Sequence, residues 1–199
     1  MTAQVAPLSA GLLEAALRAT AERHHRLCPR QVLGVRIGLA ASAALGLALP
    51  QTDKRLLAVV ETDGCFVDGV EAATGCSIGH RTLRLEDCGK VAATFVDVKA
   101  RRAVRIVPRR DIRTRAAVYA PGEARHYHAQ LRGYQVMPDD ELLAVREVEL
   151  TLDLDRLLGR AGVRVDCTVC GEEVLNGREL RSAQDEPVCP SCAFGAYYR

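Results

Sequence analysis

Apolar positions along this chain fall into a few distinct rhythms, and each rhythm marks out an element. Over 9–24, Leu12, Leu13, Ala16, Leu17 and Ala21 recur at helical spacing behind Ser9, a residue suited to capping, so a helix is predicted there. A second helix is predicted over 28–49, with Pro29 at its first position and Pro50 marking its end. The run 32–49 is apolar and long enough to raise the question of a membrane span. Arg36 interrupts it, and Gly34, Gly38, Gly46 and many alanines leave it small-sided. A soluble helix packed closely under a sheet is the expectation, since Gly34-x3-Gly38 serves close packing in water as well as in lipid.

Further along, Leu-Leu-Ala-Val-Val-Glu over 56–61 predicts a buried strand. A short helix over 65–73 and a turn at Thr74-Gly75 follow. Residues 91–98 and 102–107 form a predicted hairpin across a basic turn. A helix is predicted over 123–136 after Pro121-Gly122, a turn or helix start at 138–141, and a strand over 143–152. The predicted fold is α+β, a mixed or antiparallel sheet packed with helices over 1–160, followed by a small cysteine module over 161–199.

Composition sharpens this picture. With 48% hydrophobic and 26% charged residues in 199, the chain is neither disordered, collagen-like nor a coiled-coil rod. Aromatics are only 4% and Trp is absent, so the core must rest on Ala, Val and Leu. The same scarcity argues against a single-strand nucleic-acid binder, which needs exposed rings for stacking. A net charge of +2 names no partner. Residues 1–20 lack the basic, apolar and cleavage regions of a secretory signal, so a cytoplasmic setting is expected. There the eight cysteines would stay reduced, as ligands or reactive groups.

Cys167-x2-Cys170-x18-Cys189-x2-Cys192 is the most specific motif. Each C-x2-C turn aims two thiolates at one ion, and two turns complete a tetrahedron around zinc. Gly171 after Cys170 lets the backbone curl around the sulfurs. With four protein ligands such a zinc is structural, and in so short a module it supplies most of the folding energy. Glu172, Glu173, Glu179, Asp185 and Glu186 offset Arg178 and Arg181, which favours a protein partner over nucleic acid.

A second set of soft donors lies upstream. Cys28 precedes Pro29 at a predicted helix N-terminus, where free amides and the helix dipole favour a thiolate, and His24 lies four residues earlier. Asp63, Cys65, Asp68, Cys76, His80, Asp87 and Cys88 fall within 26 residues, a density that suggests a transition-metal or reactive-thiol site. The plain alternative is that Cys65 and Cys76 are small buried hydrophobes.

These residues carry a resemblance. His24-His25-Arg26-Leu27-Cys28-Pro29-Arg30, followed by Leu33-Gly34-Val35-Arg36, resembles the opening motif of the FmdE family, which takes its name from formylmethanofuran dehydrogenase. Cys65, Thr74-Gly75-Cys76 and Asp87-Cys88-Gly89-Lys90 are similar to its later motifs, as are 137–142, 145–148 and the four-cysteine tail. The resemblance implies an α+β core whose cleft, lined by His24, Cys28, Cys65, Cys76, His80 and Lys90, binds a metal or a metal-containing cofactor. It also implies a zinc-ribbon tail and a homodimer, and it names no reaction. Arg26, Arg30, His80 and Cys88 depart from the family's usual His, Gly, Lys and aromatic residues. The site would then be rebuilt around His80, or would bind an anion or organic ligand with Arg26 and Lys90 supplying charge.

Two functions follow. In the first, Cys28 is a thiolate ligand, and the catalytic candidate if an open metal position activates water or substrate. In the second, the protein is a nonenzymatic adaptor or regulator that binds protein or nucleic acid through the ribbon. The basic stretch from Lys99 to Arg115 is expected to be a solvated or subunit-facing edge, and His126 and His128, spaced i and i+2, are minor metal candidates.

Overall fold

In the computed structural model, residues 10–158 and 162–198 are described, and the chain divides into two units, Met1–Glu149 and Leu150–Arg199. The first unit runs α1 (Ala10–His24), α2 (Pro29–Leu45), β1 (Leu56–Val60), α3 (Cys65–Thr74), β2 (Leu83–Leu85), β3 (Ala93–Asp97) and β4 (Arg102–Pro108). It continues through α4 (Ile112–Arg115), α5 (His126–Val136), α6 (Asp139–Leu142) and β5 (Leu143–Val148). Its strands form one mixed sheet in the order β2-β1-β3-β4-β5. Only β1–β2 is parallel; the other neighbours are antiparallel. The second unit holds α7 (Leu154–Leu158), a hairpin of β6 (Arg164–Asp166) and β7 (Glu173–Leu175), a hairpin of β8 (Leu180–Arg181) and β9 (Pro187–Val188), and α8 (Pro190–Phe194). The α+β fold with a mixed sheet is as expected.

Boundaries differ where local chemistry intervenes. The second helix stops at Leu45 rather than 49, because Gly46 turns left-handed (φ 69°) and donates its N–H to Ser42 O. Ser42 O also accepts from Leu47, so the chain leaves the helix there and tucks Leu47 and Leu49 into the core. The expected cap Ser9 lies outside the described residues. β2 has no signal in the sequence because three residues are too short to show a period.

Ala58, Val60, Phe95, Val104 and Ile106 face Val32, Ile37, Phe66 and Val70 of α2 and α3 across the main core. α1 adds a smaller cluster, Ala16 against Val35, Leu39 and Ala73. α2 and α3 run parallel, Gly34 lying against Gly69 and Gly38 against Ala73. They are in backbone contact: a Cβ on Gly34 would sit 2.2 Å from Phe66 O, and one on Gly69 would sit 2.3 Å from Gln31 O. Small residues are thus what the crossing demands. Among the described residues, no helix is long and apolar enough to cross a membrane.

Arg36, buried to 4% exposure, is the charge in the apolar run. Its guanidinium donates to Tyr134 O and Met137 O (both 2.6 Å) at the end of α5 and to Asp139 Oδ1 (2.6 Å). Asp97, nearly buried, accepts from Arg55 (2.9 Å) and from the Lys99 and Ala100 amides of the β3–β4 turn. The Arg55 hydrogen bond holds the Asp97 carboxyl below the usual carboxylate range.

Gly34→Ala should lower the unfolding free energy by about 1–3 kcal/mol, from overpacking against backbone. Gly11→Ala, with nothing within 4 Å of the added methyl, should cost nothing; urea titration of both variants checks the contrast. Asp97→Asn should cost about 1–3 kcal/mol at pH 7. Because the native pKa is depressed, that difference should be full above the unfolded carboxylate pKa and shrink as pH falls through the native value. Urea midpoints of both proteins at a series of pH values would measure it.

Candidate metal centres

The second unit converges on four sulfurs. β6 and β7 are joined by the turn that carries Cys167 and Cys170, and Gly171 N–H closes it on Cys167 O (2.8 Å). β9 leads into Cys189, which caps α8 and accepts the Cys192 N–H at 3.3 Å. The four ligand atoms lie within 4.8 Å of one another, and Cys170 Sγ is 3.9 Å from Cys189 Sγ. A tetrahedral ion with metal–sulfur bonds of about 2.3 Å needs sulfurs about 3.8 Å apart, so the donor set fits a metal ion. Backbone N–H groups of Cys170 and Cys189 pull the Cys167 thiol down to about 6, toward the thiolate that a metal requires. Cys192 is pushed up to about 12, first by its hydrogen bond with Cys189. Val174 and Val188 pack against Cys167 in a small core.

The upstream donors are organised by the two parallel helices. α1 ends at His24, the chain reverses at His25 (φ 57°), and Cys28 becomes the N-cap of α2. Gln31 accepts the Cys28 N–H (2.7 Å), while its own amide donates to Thr20 O and Thr20 Oγ1. β1 leads through Gly64 to Cys65, the first residue of α3. Parallel packing therefore puts both helix N-termini at one end, and the Cys65 thiol hydrogen-bonds with Cys28. One turn into α3, Asp68 Oδ2 meets His24 Nε2 at 2.5 Å, and Glu71 meets Arg23 at 2.5 Å. The Cys65 thiol is pushed up by burial, then by Cys28, with a contribution from the Asp68 charge. Two helix dipoles oppose that shift, each supplying only partial charge.

The other expected residues lie elsewhere. Cys76 follows the left-handed Gly75 that ends α3 and is buried, its thiol 3.5 Å from Leu56 O. Burial raises its pKa. Ten helical residues, about 15 Å, separate it from Cys65. His80 is exposed in the turn beyond Cys76, its N–H on Ser77 Oγ. Lys90 is exposed, its N–H on Glu61 O just past β1, as is that of Cys88. Arg26 is exposed before Cys28. His126 and His128 stand exposed on the first turn of α5. The sequence marks Asp68 as one soft donor among several and gives no sign of its partner, since 44 residues separate it from His24. The Glu61–Arg105 pair (2.6 Å) has no sequence signal at all.

Fold and donors together define an α+β protein with a four-cysteine cluster able to hold a metal ion. The profile of the family described as FmdE, Molybdenum formylmethanofuran dehydrogenase operon, matches residues 23–144, and the chain belongs to that family. Over 88 residues it is 40% identical to a probable S-adenosyl-L-methionine-binding protein of Archaeoglobus fulgidus, covering 43% of this chain and 24% of that relative's length. In fold it is similar to a crystal structure of an FmdE-like protein of tungsten formylmethanofuran dehydrogenase from Syntrophus aciditrophicus, with a TM-score of 0.59 and 21% identity. That likeness covers 94% of this chain and 95% of the other.

Cys167→Ser should remove one metal equivalent per chain and melt the second unit's hairpins while the five-stranded sheet persists. Elemental analysis combined with amide hydrogen exchange measures both effects. Exchange protection unchanged in 162–198 after metal loss would refute a folding role for the ion.

Proposed function

We propose that this chain is an FmdE-like metal-binding protein with two unlike centres: structural zinc in the ribbon, and a second transition metal or metal-containing cofactor at Cys28 and Cys65. The observation that carries the reading is the meeting of these two thiols at the paired N-termini of α2 and α3, beside the His24–Asp68 pair. Cys28 and Cys65 would bind as thiolates, their charge favoured by the helix ends and by the cation. His24 would supply a ring nitrogen, and Asp68 would fix its orientation. When bound, such a metal supplies Lewis-acid polarisation of a water or substrate. Lys90, on the loop beside Glu61, is suited to an anionic part of a cofactor. Cys76 and His80, a helix length away, take no part. A cytoplasmic homodimer belongs to the same proposal, and eight free thiols fit a reducing compartment.

A second reading, a nonenzymatic adaptor acting through the ribbon, is supported by exposed Val169 (69%), Phe194 (82%) and Tyr197 (98%) in the second unit. Metal content separates the two. The purified full chain should carry two equivalents; Cys28→Ser and Cys65→Ser should each carry one and keep the wild-type melting profile. One equivalent in all three proteins would discard the upstream centre in favour of the adaptor.

A further inference from the structure

The basic stretch between Lys99 and Arg115 serves neither metal centre, and the fold sorts it into spent and unspent charges. Arg102 pairs with Glu147 (2.6 Å), Arg105 is held by both oxygens of Glu61 (2.6 and 2.7 Å), and Arg115 pairs with Glu141. Arg109 gives its Nε–H to Asp140 O at 2.7 Å and keeps its charge. Arg110, and Arg146 on β5, make no hydrogen bond or ion pair among the described residues. These unspent guanidinium groups line a cavity of about 440 Å³ at the end of β4 and β5.

The sheet register explains why charge gathers there. Arg105 lies directly opposite Arg146, and Val107 directly opposite Ala144. Alternation along a strand puts all four on one face. Like charges directly opposed across antiparallel strands destabilise the pair. Glu61 neutralises Arg105, but nothing in the described residues neutralises Arg146. The acids on the cavity wall do not close this imbalance. Glu141 is taken by Arg115 and by the Tyr119 hydroxyl, and Asp111 lies 3.7 Å from Arg115. The Asp140 carboxylate is left to face Arg109, Arg110 and Arg146.

We propose that this cavity binds a phosphate monoester of a small organic molecule. Arg110 and Arg146 would grip the phosphate, whose near-double negative charge and several acceptor oxygens suit more than one guanidinium. Val107, Pro108 and Ala144 form an apolar floor for the organic part. A nucleic-acid strand fits less well, because Asp111 and Asp140 on the wall would repel the phosphates flanking the one bound.

Calorimetric titration of the full chain with phenyl phosphate and with inorganic phosphate tests the assignment. Phenyl phosphate should bind saturably, about tenfold tighter than inorganic phosphate, because only the ester covers the floor. Arg146→Ala and Arg110→Gln, both at exposed positions, should each weaken it at least about tenfold. Arg18→Ala, on the exposed face of α1, should leave it unchanged. Absence of saturation, or equal weakening by Arg18→Ala, overturns the site. Equal affinity for the two probes overturns the organic ligand and leaves a free-phosphate site.

Discussion

Where Gly34 meets Phe66 O and Gly69 meets Gln31 O, α2 and α3 touch through their backbones, and the upstream donors depend on that contact. Side chains of ordinary size would hold the helices apart and slide their ends out of register. With none between them, the N-cap of α2 and the first residue of α3 open at one place, and Cys28 reaches Cys65. Electrostatics at that place are balanced between opposing effects. Each helix end favours an anion by about 0.3–1 kcal/mol. Burial and a neighbouring sulfur outweigh this at Cys65, whose thiol holds its proton. A cation carries whole rather than partial charges, so it would reverse the balance.

α2 also ties in the rest of the first unit, through two buried polar side chains that an apolar helix could easily have excluded. Gln31 bridges the end of α1 to the start of α2 through three hydrogen bonds that are buried or half-buried. Arg36 closes two carbonyls at the end of α5 and pairs with Asp139 at the start of α6. A buried charge is tolerated when its hydrogen bonds are complete, and it becomes costly when one partner is removed. The residue that interrupts the apolar run is therefore the one that docks α5.

How much could be read from the sequence follows from how far apart the partners lie. The ribbon was legible because its ligands come in two adjacent pairs, and the turn that aims each pair is local. The α+β pattern was legible for the same reason, since period is a local property. Cys28 and Cys65 were identifiable as residues, but their meeting rests on a helix crossing that no local pattern encodes. Cys76 and His80 were grouped with Cys65 by density along the chain, and α3 then carried them about 15 Å away. The arginine stretch read as one basic edge because its neutralising partners, Glu61, Glu141 and Glu147, come from other strands and loops.

The two centres stand in opposite relations to folding, and this bears on which could support chemistry. The second unit's core is little more than Cys167, Val174 and Val188, too small to hold short hairpins together. Its four sulfurs would use every tetrahedral position, so an ion there stabilises the fold and leaves nothing open to a substrate. The upstream donors stand on a scaffold already fixed by the glycine crossing, by Gln31 and by Arg36. A metal held there by Cys28, Cys65 and His24 would leave a coordination position free and could exchange without unfolding the sheet. Preorganisation of that kind costs stability at the crossing, where any methyl collides, and what it yields is an open ligand position on a rigid frame.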